Sequence, residues 1–171
     1  MSSLQSNDGS GKEVQQKYMK KVPLHLIFDA IESANEVFDQ YLDTKEMEVI
    51  MLPNMTTGVA EVEDGDEELL EQIEEDTEKR YLPLPSQFDI HEYRIMEDYI
   101  RELDDNVLAN RLANAIRGKG AFRRFEDILI SCGKIQNWYD YRTQYYWDYA
   151  RKWCIGKELE FIDDQKENNR S

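Results

Sequence analysis

The chain contains few of the residues on which disulfide scaffolds and metal sites are built. Among its 171 residues there are only two cysteines and two histidines. Cys132 and Cys154 lie far apart and lack the spacing of a metal site, which indicates two reduced thiols. No stretch approaches the roughly 20 apolar residues of a membrane span, and residues 1–16 are too polar for a secretory signal. We therefore expect a cytoplasmic protein that crosses no membrane.

Recognisable catalytic motifs are missing as well. The chain has no H-E-x-x-H or C-x-x-C motif, no dinucleotide fingerprint and no P-loop spacing. His25 lies off the apolar stripe of its helix and is expected to face solvent, and neither it nor His91 accompanies a recognisable nucleophile. Acidic residues are so abundant that a catalytic carboxylate pair would leave no distinct signal. The sequence thus predicts no metal and no cofactor, and it favours a protein that is not an enzyme.

Negative charge and aromatic side chains are present in excess. The 36 acidic residues outnumber the 21 basic ones, for a net charge of −15. Such a charge repels polyanions, which makes binding to nucleic acid unfavourable, and it favours basic partners. Three Trp, ten Tyr and six Phe predict an aromatic core with tyrosine hydroxyls near its edge.

The composition changes along the chain and predicts three parts. Residues 1–21 are polar and rich in Ser, Gly, Gln and Lys, which is typical of a disordered tail. Residues 22–157 carry the apolar patterns and predict a single domain. Residues 158–171 are again polar and predict a frayed C-terminus.

The patterns within the domain predict a mainly helical α+β fold with a small antiparallel β-hairpin packed on about five to six helices. A first helix is expected over Pro23–Ala34. Val37–Asp43 and Met47–Leu52 have high strand propensity and form the hairpin. The proline-containing run at residues 81–85 could join the hairpin but not as a central strand. From Phe88 to Leu103 the apolar spacing predicts one continuous helix, and three further helices follow.

An acidic segment extends from Glu61 to Glu78, with eleven acids and no base. A narrow apolar stripe runs through it, which is typical of a surface helix with a solvated acidic face. The alternative is a docking surface for a basic partner, or for the basic face of the same chain.

The opposite charge is concentrated between Ala109 and Lys152, where nine bases stand against four acids. Within this region Gly118 and Gly120 predict the end of one helix and the start of the next. A helix start with exposed amides and basic side chains suits a phosphorylated ligand or an acidic partner surface. The candidate anion site comprises Arg117, Lys119, Gly120, Arg123 and Arg124.

Two charged residues project from faces that are otherwise apolar. Glu92 lies in the apolar arc of its helix, and Arg142 lies in the aromatic face of the last helix, Ile135–Ile155. Because an unpaired charge in a core is very costly, we predict a largely buried Glu92–Arg142 pair with tyrosine hydroxyls nearby. The pair either fixes how two helices dock or forms a polar pocket. Trp147 falls on the polar side of its helix and is a possible contact residue.

Four short motifs resemble a bacterial family of uncharacterised proteins of the "UPF" class. They are Y-L-D-T at Tyr41–Thr44, E-Y-R-I-M at Glu92–Met96, G-K-G-A-F-R-R-F at Gly118–Phe125 and W-Y-D-Y-R at Trp138–Arg142. The resemblance covers most of residues 22–153 and brings no activity or substrate with it. Similar proteins often carry a glycine in the hairpin turn, which residues 45–47 lack.

Three functions follow as hypotheses. The leading one is a non-enzymatic binding or regulatory module whose basic patch meets an acidic partner or a phosphorylated ligand. The second is a nucleic-acid contact through the same patch. The third is an enzyme that uses the polar pocket of Glu92 and Arg142.

Overall fold

The structure is a computed structural model that describes residues 20–168. Most of the predicted N-terminal tail lies outside this range. The elements in chain order are β1 (Val22–Pro23), α1 (Leu24–Ser33), β2 (Phe38–Asp43), β3 (Glu48–Pro53), α2 (Asp66–Glu74), β4 (Tyr81–Pro83), α3 (Gln87–Ile90), α4 (Glu92–Glu102), α5 (Asn106–Ala115), α6 (Ala121–Ser131), α7 (Ile135–Gly156), β5 (Phe161–Ile162) and α8 (Gln165–Asn168). None of these helices is long and apolar enough to cross a membrane.

The predicted fold class is confirmed: the described chain is mainly helical, with a small antiparallel sheet in its first half. The hairpin β2–β3 is joined by β4 on the other side of β2, so the strand order is β3-β2-β4. The proline-containing run is therefore an edge strand, as expected. Gln40 attaches the sheet to α1, because its side-chain amide donates to the carbonyl of Ala30 over 2.9 Å.

The hairpin turn forms without a glycine. Met47 adopts a left-handed conformation with φ of +60°. Asp43 is buried, and its Oδ1 accepts hydrogen bonds from the amides of Lys45 (2.9 Å) and Glu46 (3.2 Å). Arg80 completes the arrangement with a bond of 2.7 Å from its Nη2 to the Asp43 carboxylate. A buried carboxylate thus orders a turn for which glycine would be the usual choice.

The helical core forms around α7, which packs against α1, α4 and α6. Phe125 of α6 and Trp138 of α7 meet edge to face with ring centroids 4.8 Å apart. Tyr99 of α4 adds a second edge-to-face contact with Phe125, at 5.9 Å. These contacts give the predicted aromatic core a defined geometry.

The single helix predicted from Phe88 to Leu103 is wrong, because the chain breaks it at His91. Asp89 accepts hydrogen bonds from the Ser86 amide (2.9 Å) and hydroxyl (2.7 Å), which starts a separate first turn. His91 then takes a left-handed conformation with φ of +48°, which ends α3 and redirects the chain into α4. As a result Phe88 is not in the core and is 68% exposed.

The segment after α7, expected to be frayed, is attached to the first elements of the chain. β5 pairs in parallel with β1, with Phe161 opposite Val22. Asp164 accepts from the His25 amide over 2.9 Å and also contacts Nδ1 of that histidine. His25 is therefore not simply solvent-facing. Asp164 caps α1, whose own N-cap residue, Pro23, makes no side-chain cap.

Candidate functional site

A cleft of about 560 Å³ opens between the end of α1, the corner between α3 and α4, the first turn of α6 and the middle of α7. The fold brings apolar, aromatic and charged residues together around this cleft. Its walls include Ile31, Glu32, Phe88, His91, Glu92, Tyr93, Phe122 and Arg142. The cleft thus combines charged, titratable and aromatic side chains, which is the composition of many ligand sites.

Glu92 and Arg142 meet at this cleft. Nη2 of Arg142 donates to Oε1 of Glu92 over 2.5 Å. Nε of Arg142 donates to the hydroxyl of Tyr146 over 2.9 Å, and that hydroxyl donates in turn to Oε1 of Glu92. The contact predicted from the sequence is present, together with a tyrosine hydroxyl. The predicted burial is wrong, because the side chains of Glu92 and Arg142 are 36% and 35% exposed.

Two members of this cluster, Tyr146 and Arg142, keep their protons near neutral pH. Burial and the hydrogen bond to Glu92 raise the pKa of Tyr146 well above its usual value, so its hydroxyl stays a donor. Burial disfavours the charge of Arg142, but the hydrogen bonds and charge interactions with Glu92 and Tyr146 together outweigh that effect and raise the pKa of the guanidinium. Within residues 20–168, Nη1 of Arg142 has no hydrogen-bond partner. The guanidinium is thus held firmly and retains donor capacity for a ligand.

Three exposed aromatic side chains surround the polar cluster. Phe88, Tyr93 and Phe122 are 68%, 42% and 45% exposed, respectively. Phe88 stands out because the chain turns at His91, and Phe122 is the second residue of α6. Exposed aromatic rings beside a polar cleft are typical of binding sites, since they supply contact area at low entropic cost.

Sequence reasoning missed these three aromatic residues as site candidates. Helical spacing assigns Phe88, Tyr93 and Phe122 to apolar arcs, and apolar arcs usually face a core. For Phe88 the S-x-x-D pattern at Ser86–Asp89 marks where the helix starts, but it does not predict the break at His91 that leaves the ring exposed. No comparable local signal exists for Tyr93 or Phe122, because their exposure depends on where the neighbouring helices lie.

The predicted anion site lies in residues 117–124, called the basic segment below, and this segment adjoins the cleft through Phe122. Gly118 and Gly120 both take left-handed conformations, with φ of +76° and +75°, as their positions between two helices predict. Arg117, Lys119 and Arg123 are exposed. Arg123 has one ion pair, 3.9 Å from Asp127, and is 90% exposed, so the pair holds it weakly.

Arg124 differs from the other predicted anion-site residues because its guanidinium is already hydrogen-bonded to backbone carbonyls. Its guanidinium donates to the carbonyls of Ala115 (2.8 Å) and Arg117 (2.7 Å), and to that of Lys119. These carbonyls belong to the end of α5 and the loop that follows, where helical partners are lacking. Arg124 therefore stabilises the connection between α5 and α6, and this structural contact leaves less of its hydrogen-bonding capacity for an anion.

Trp147, which the sequence places on the polar side of α7 as a possible contact residue, is buried. This side chain is 1% exposed, and its ring stacks on that of Phe28 with centroids 4.3 Å apart. Among the described residues its Nε1 atom has no hydrogen-bond partner. Trp147 is buried because α1, as well as α4 and α6, covers α7, so a second arc of the helix is buried.

The acidic segment is placed at the surface. Its helical part, α2, begins after Gly65 and buries none of its residues. Across residues 20–168, no three His, Cys, Asp or Glu side chains converge to hold a metal ion.

Comparison with known proteins identifies a family but no characterised relative. Neither the curated proteins nor the solved structures match the chain. A family model matches residues 19–169, which include the cleft, the Glu92–Arg142 pair and the basic segment. The chain belongs to the uncharacterised protein family UPF0158.

Proposed function

We propose that the protein is a non-enzymatic binding module, and that the cleft beside Arg142 binds a ligand with an aromatic or apolar group and an anionic group. The observation that carries the proposal is the pairing of a fixed guanidinium with a rim of exposed aromatic residues. Glu92 and Tyr146 orient Arg142 before any ligand arrives, which lowers the entropic cost of binding. Phe88, Tyr93 and Phe122 offer contact area around it.

The basic segment extends this site toward an anionic partner. Lys119 and Arg123 lie within three residues of Phe122, which itself lines the cleft. A phosphorylated ligand, or an acidic peptide with an aromatic side chain, satisfies both parts of the site at once. Charge complementarity of this kind raises association rates more than it raises affinity, so binding should weaken as salt is added.

Binding fits the geometry better than catalysis does. Oε1 of Glu92 already accepts hydrogen bonds from both Arg142 and Tyr146, so this oxygen is committed to two donors within the protein rather than open to a substrate. Nucleic acid fits less well, because Glu32 and Glu92 line the cleft and the whole chain is strongly acidic.

The proposal is tested with an array of acidic peptides, phosphorylated and unphosphorylated, each with one aromatic residue. The tightest binder is then titrated against the wild type, Phe88→Ala and Lys119→Glu by calorimetry. We expect each variant to bind at least about tenfold more weakly, since aromatic anchors and desolvated charge pairs contribute on the order of 2 kcal/mol.

A matched control is Ile155→Ala. Ile155 is as exposed as Phe88, at 66%, but lies near the end of α7 and does not line the cleft. It should bind like the wild type. Equal affinity of all variants, or an array without any binder, would contradict the proposal.

A further inference from the structure

The three-stranded sheet has two edges, and their chemistry differs. In an antiparallel sheet, successive residues direct their backbone groups to opposite sides of the strand. Gln40 accepts from the Leu84 amide (2.9 Å), and the Thr44 amide donates to Arg80 (2.8 Å), so the even-numbered residues of β2 face β4. The odd-numbered residues consequently face β3. The register then places Val49 and Met51 of β3 with their backbone groups directed away from the sheet.

The edge formed by β4 is closed. Tyr81 and Pro83 are its outward-directed residues, since Leu82 lies opposite Leu42. The Tyr81 amide is bound by Oδ2 of Asp76 over 2.9 Å. Pro83 has no amide hydrogen to offer. An added strand would find no donor here, and this is how natural sheets protect an edge.

The edge formed by β3 is open. Within residues 20–168, the outward amides and carbonyls of Val49 and Met51 have no hydrogen-bond partner. The Met51 side chain is about half exposed. Met51 and Pro53 also line a groove of about 470 Å³, whose other wall contains Ala60, Glu61, Glu63 and Asp66. The unpaired edge therefore continues into a groove with apolar and acidic sides.

We propose that the β3 edge takes up an extended basic peptide of a partner protein as a further antiparallel or parallel strand. This surface is separate from the cleft. Backbone hydrogen bonds to Val49 and Met51 would supply affinity, and alternate side chains of the peptide would enter the groove or face solvent. The charge determines the choice of partner. Glu46, Glu48 and the acidic side of the groove attract Lys and Arg, whereas pairing with a second copy of this chain would bring two strongly acidic surfaces together.

The probe is a ten-residue peptide of alternating Val and Lys with blocked ends, titrated against the full-length chain by calorimetry at two salt concentrations. Two further peptides carry N-methyl groups on every Val or on every Lys. In a bound strand only one of these two sets of amides faces β3. We therefore expect one N-methylated peptide to lose at least tenfold in affinity and the other to bind like the unmodified peptide.

If charge alone held the peptide, both N-methylated peptides would bind like the unmodified one, since both keep all their lysines. If both bind as well as the unmodified peptide, or if the unmodified peptide does not bind at all, the proposal is overturned. A peptide of alternating Val and Glu serves as the charge control and should bind at least tenfold more weakly.

A variant tests the same edge from the protein side. Met51→Pro removes an amide hydrogen that the sheet does not use, and proline is tolerated at such edge positions. It should lose at least tenfold in peptide affinity, while Met51→Val, which keeps the amide, should not. If sedimentation shows that the wild type alone forms a dimer and that Met51→Pro abolishes it, the occupant is a second copy and the proposal is wrong. Should Met51→Pro fail to fold, the N-methylated peptides still decide the question with wild-type protein.

Discussion

Glu92 and Arg142 are joined by a hydrogen bond of 2.5 Å across 50 positions of the chain, and yet each is about a third exposed. The bond links the start of α4 to the middle of α7 and at the same time forms part of the cleft wall. A residue pair in this position contributes to stability through its docking role and to binding through the guanidinium that it orients. Because water reaches the pair, breaking it lowers the free energy of unfolding only moderately. The contributions to stability and to binding can therefore be measured separately.

We predict that Glu92→Gln and Arg142→Met each lower the free energy of unfolding by about 1.5–3 kcal/mol, the range for hydrogen bonds to charged groups. A fully buried pair would cost more, because the remaining charge would be left without water or partner. The double variant should cost less than the sum of the single variants, by at least about 0.5 kcal/mol. Urea unfolding of the four proteins measures these differences, and additive losses would show that the two residues act independently.

For Arg124 we predict a structural role. Arg124→Ala should lower the free energy of unfolding by about 1–2 kcal/mol, because it leaves carbonyls at the end of α5 without their donors. The neighbouring Arg123→Ala is the matched control and should change stability by less than about 0.5 kcal/mol. Thermal unfolding distinguishes the two. Equal effects would mean that the guanidinium of Arg124 does not hold the loop. If Arg124 has the predicted structural role, a binding test is cleaner when charge is reversed only at Lys119 and Arg123.

The stability of the hairpin turn should depend on pH through Asp43. The hydrogen bond from Arg80 holds the pKa of this carboxyl below its usual value. A lowered pKa in the folded state means that the stabilisation is complete above the unfolded value, about 3.9, and is lost as the pH falls through the folded value. We expect Asp43→Asn to be about 2 kcal/mol less stable than wild type at pH 7.

The difference between wild type and Asp43→Asn should shrink steadily as the pH falls below about 4. Urea unfolding at several pH values measures it. Asp89 and Asp163 also have lowered pKa values, from the bonds of Ser86 and Arg151, but they are present in both proteins and cancel in the comparison. A difference that stays constant with pH would contradict the role of the Asp43 charge.

The contact between Asp164 and α1 should be measurable as a helix cap. Asp164→Ala removes the acceptor of the His25 amide and should cost about 0.5–2 kcal/mol, as the loss of an N-cap does. Glu167→Ala, an exposed position in α8, is the control and should have little effect. Amide exchange of the first turn of α1 should accelerate in Asp164→Ala. Unchanged exchange would indicate that the segment after α7 does not hold α1.

Local signals predicted those features that depend on a few neighbouring residues. The sequence predicts that Asp104 or Asp105 caps the helix that follows, and in the structure it is the Asp105 carboxylate that accepts from the Leu108 amide, over 3.0 Å. The left-handed glycines at 118 and 120 follow from the same kind of reasoning, because only a residue without a Cβ takes this conformation at little cost. The Glu92–Arg142 contact was predictable as well, since a charge within an apolar face needs a partner.

Contacts between distant segments were not predictable in this way. Trp147 lies off the main aromatic face of α7, and only the packing of α1 against that side buries it. The polar residues after α7 look like a frayed end until β5 is placed beside β1. Their hydrogen bonds join positions more than a hundred residues apart, and no local pattern encodes which partner they find.

The sequence by itself determined the fold class, the position of the hairpin, the two helices around Gly118–Gly120 and the need of Glu92 and Arg142 for each other. Each of these follows from local conformational preference or from the cost of an unpaired charge. The tertiary structure alone decided that Phe88, Tyr93 and Phe122 surround that pair as an open cleft. Whether an apolar side chain on a helix faces a core or a cleft depends on the helices opposite it, and their positions result from packing of the whole chain.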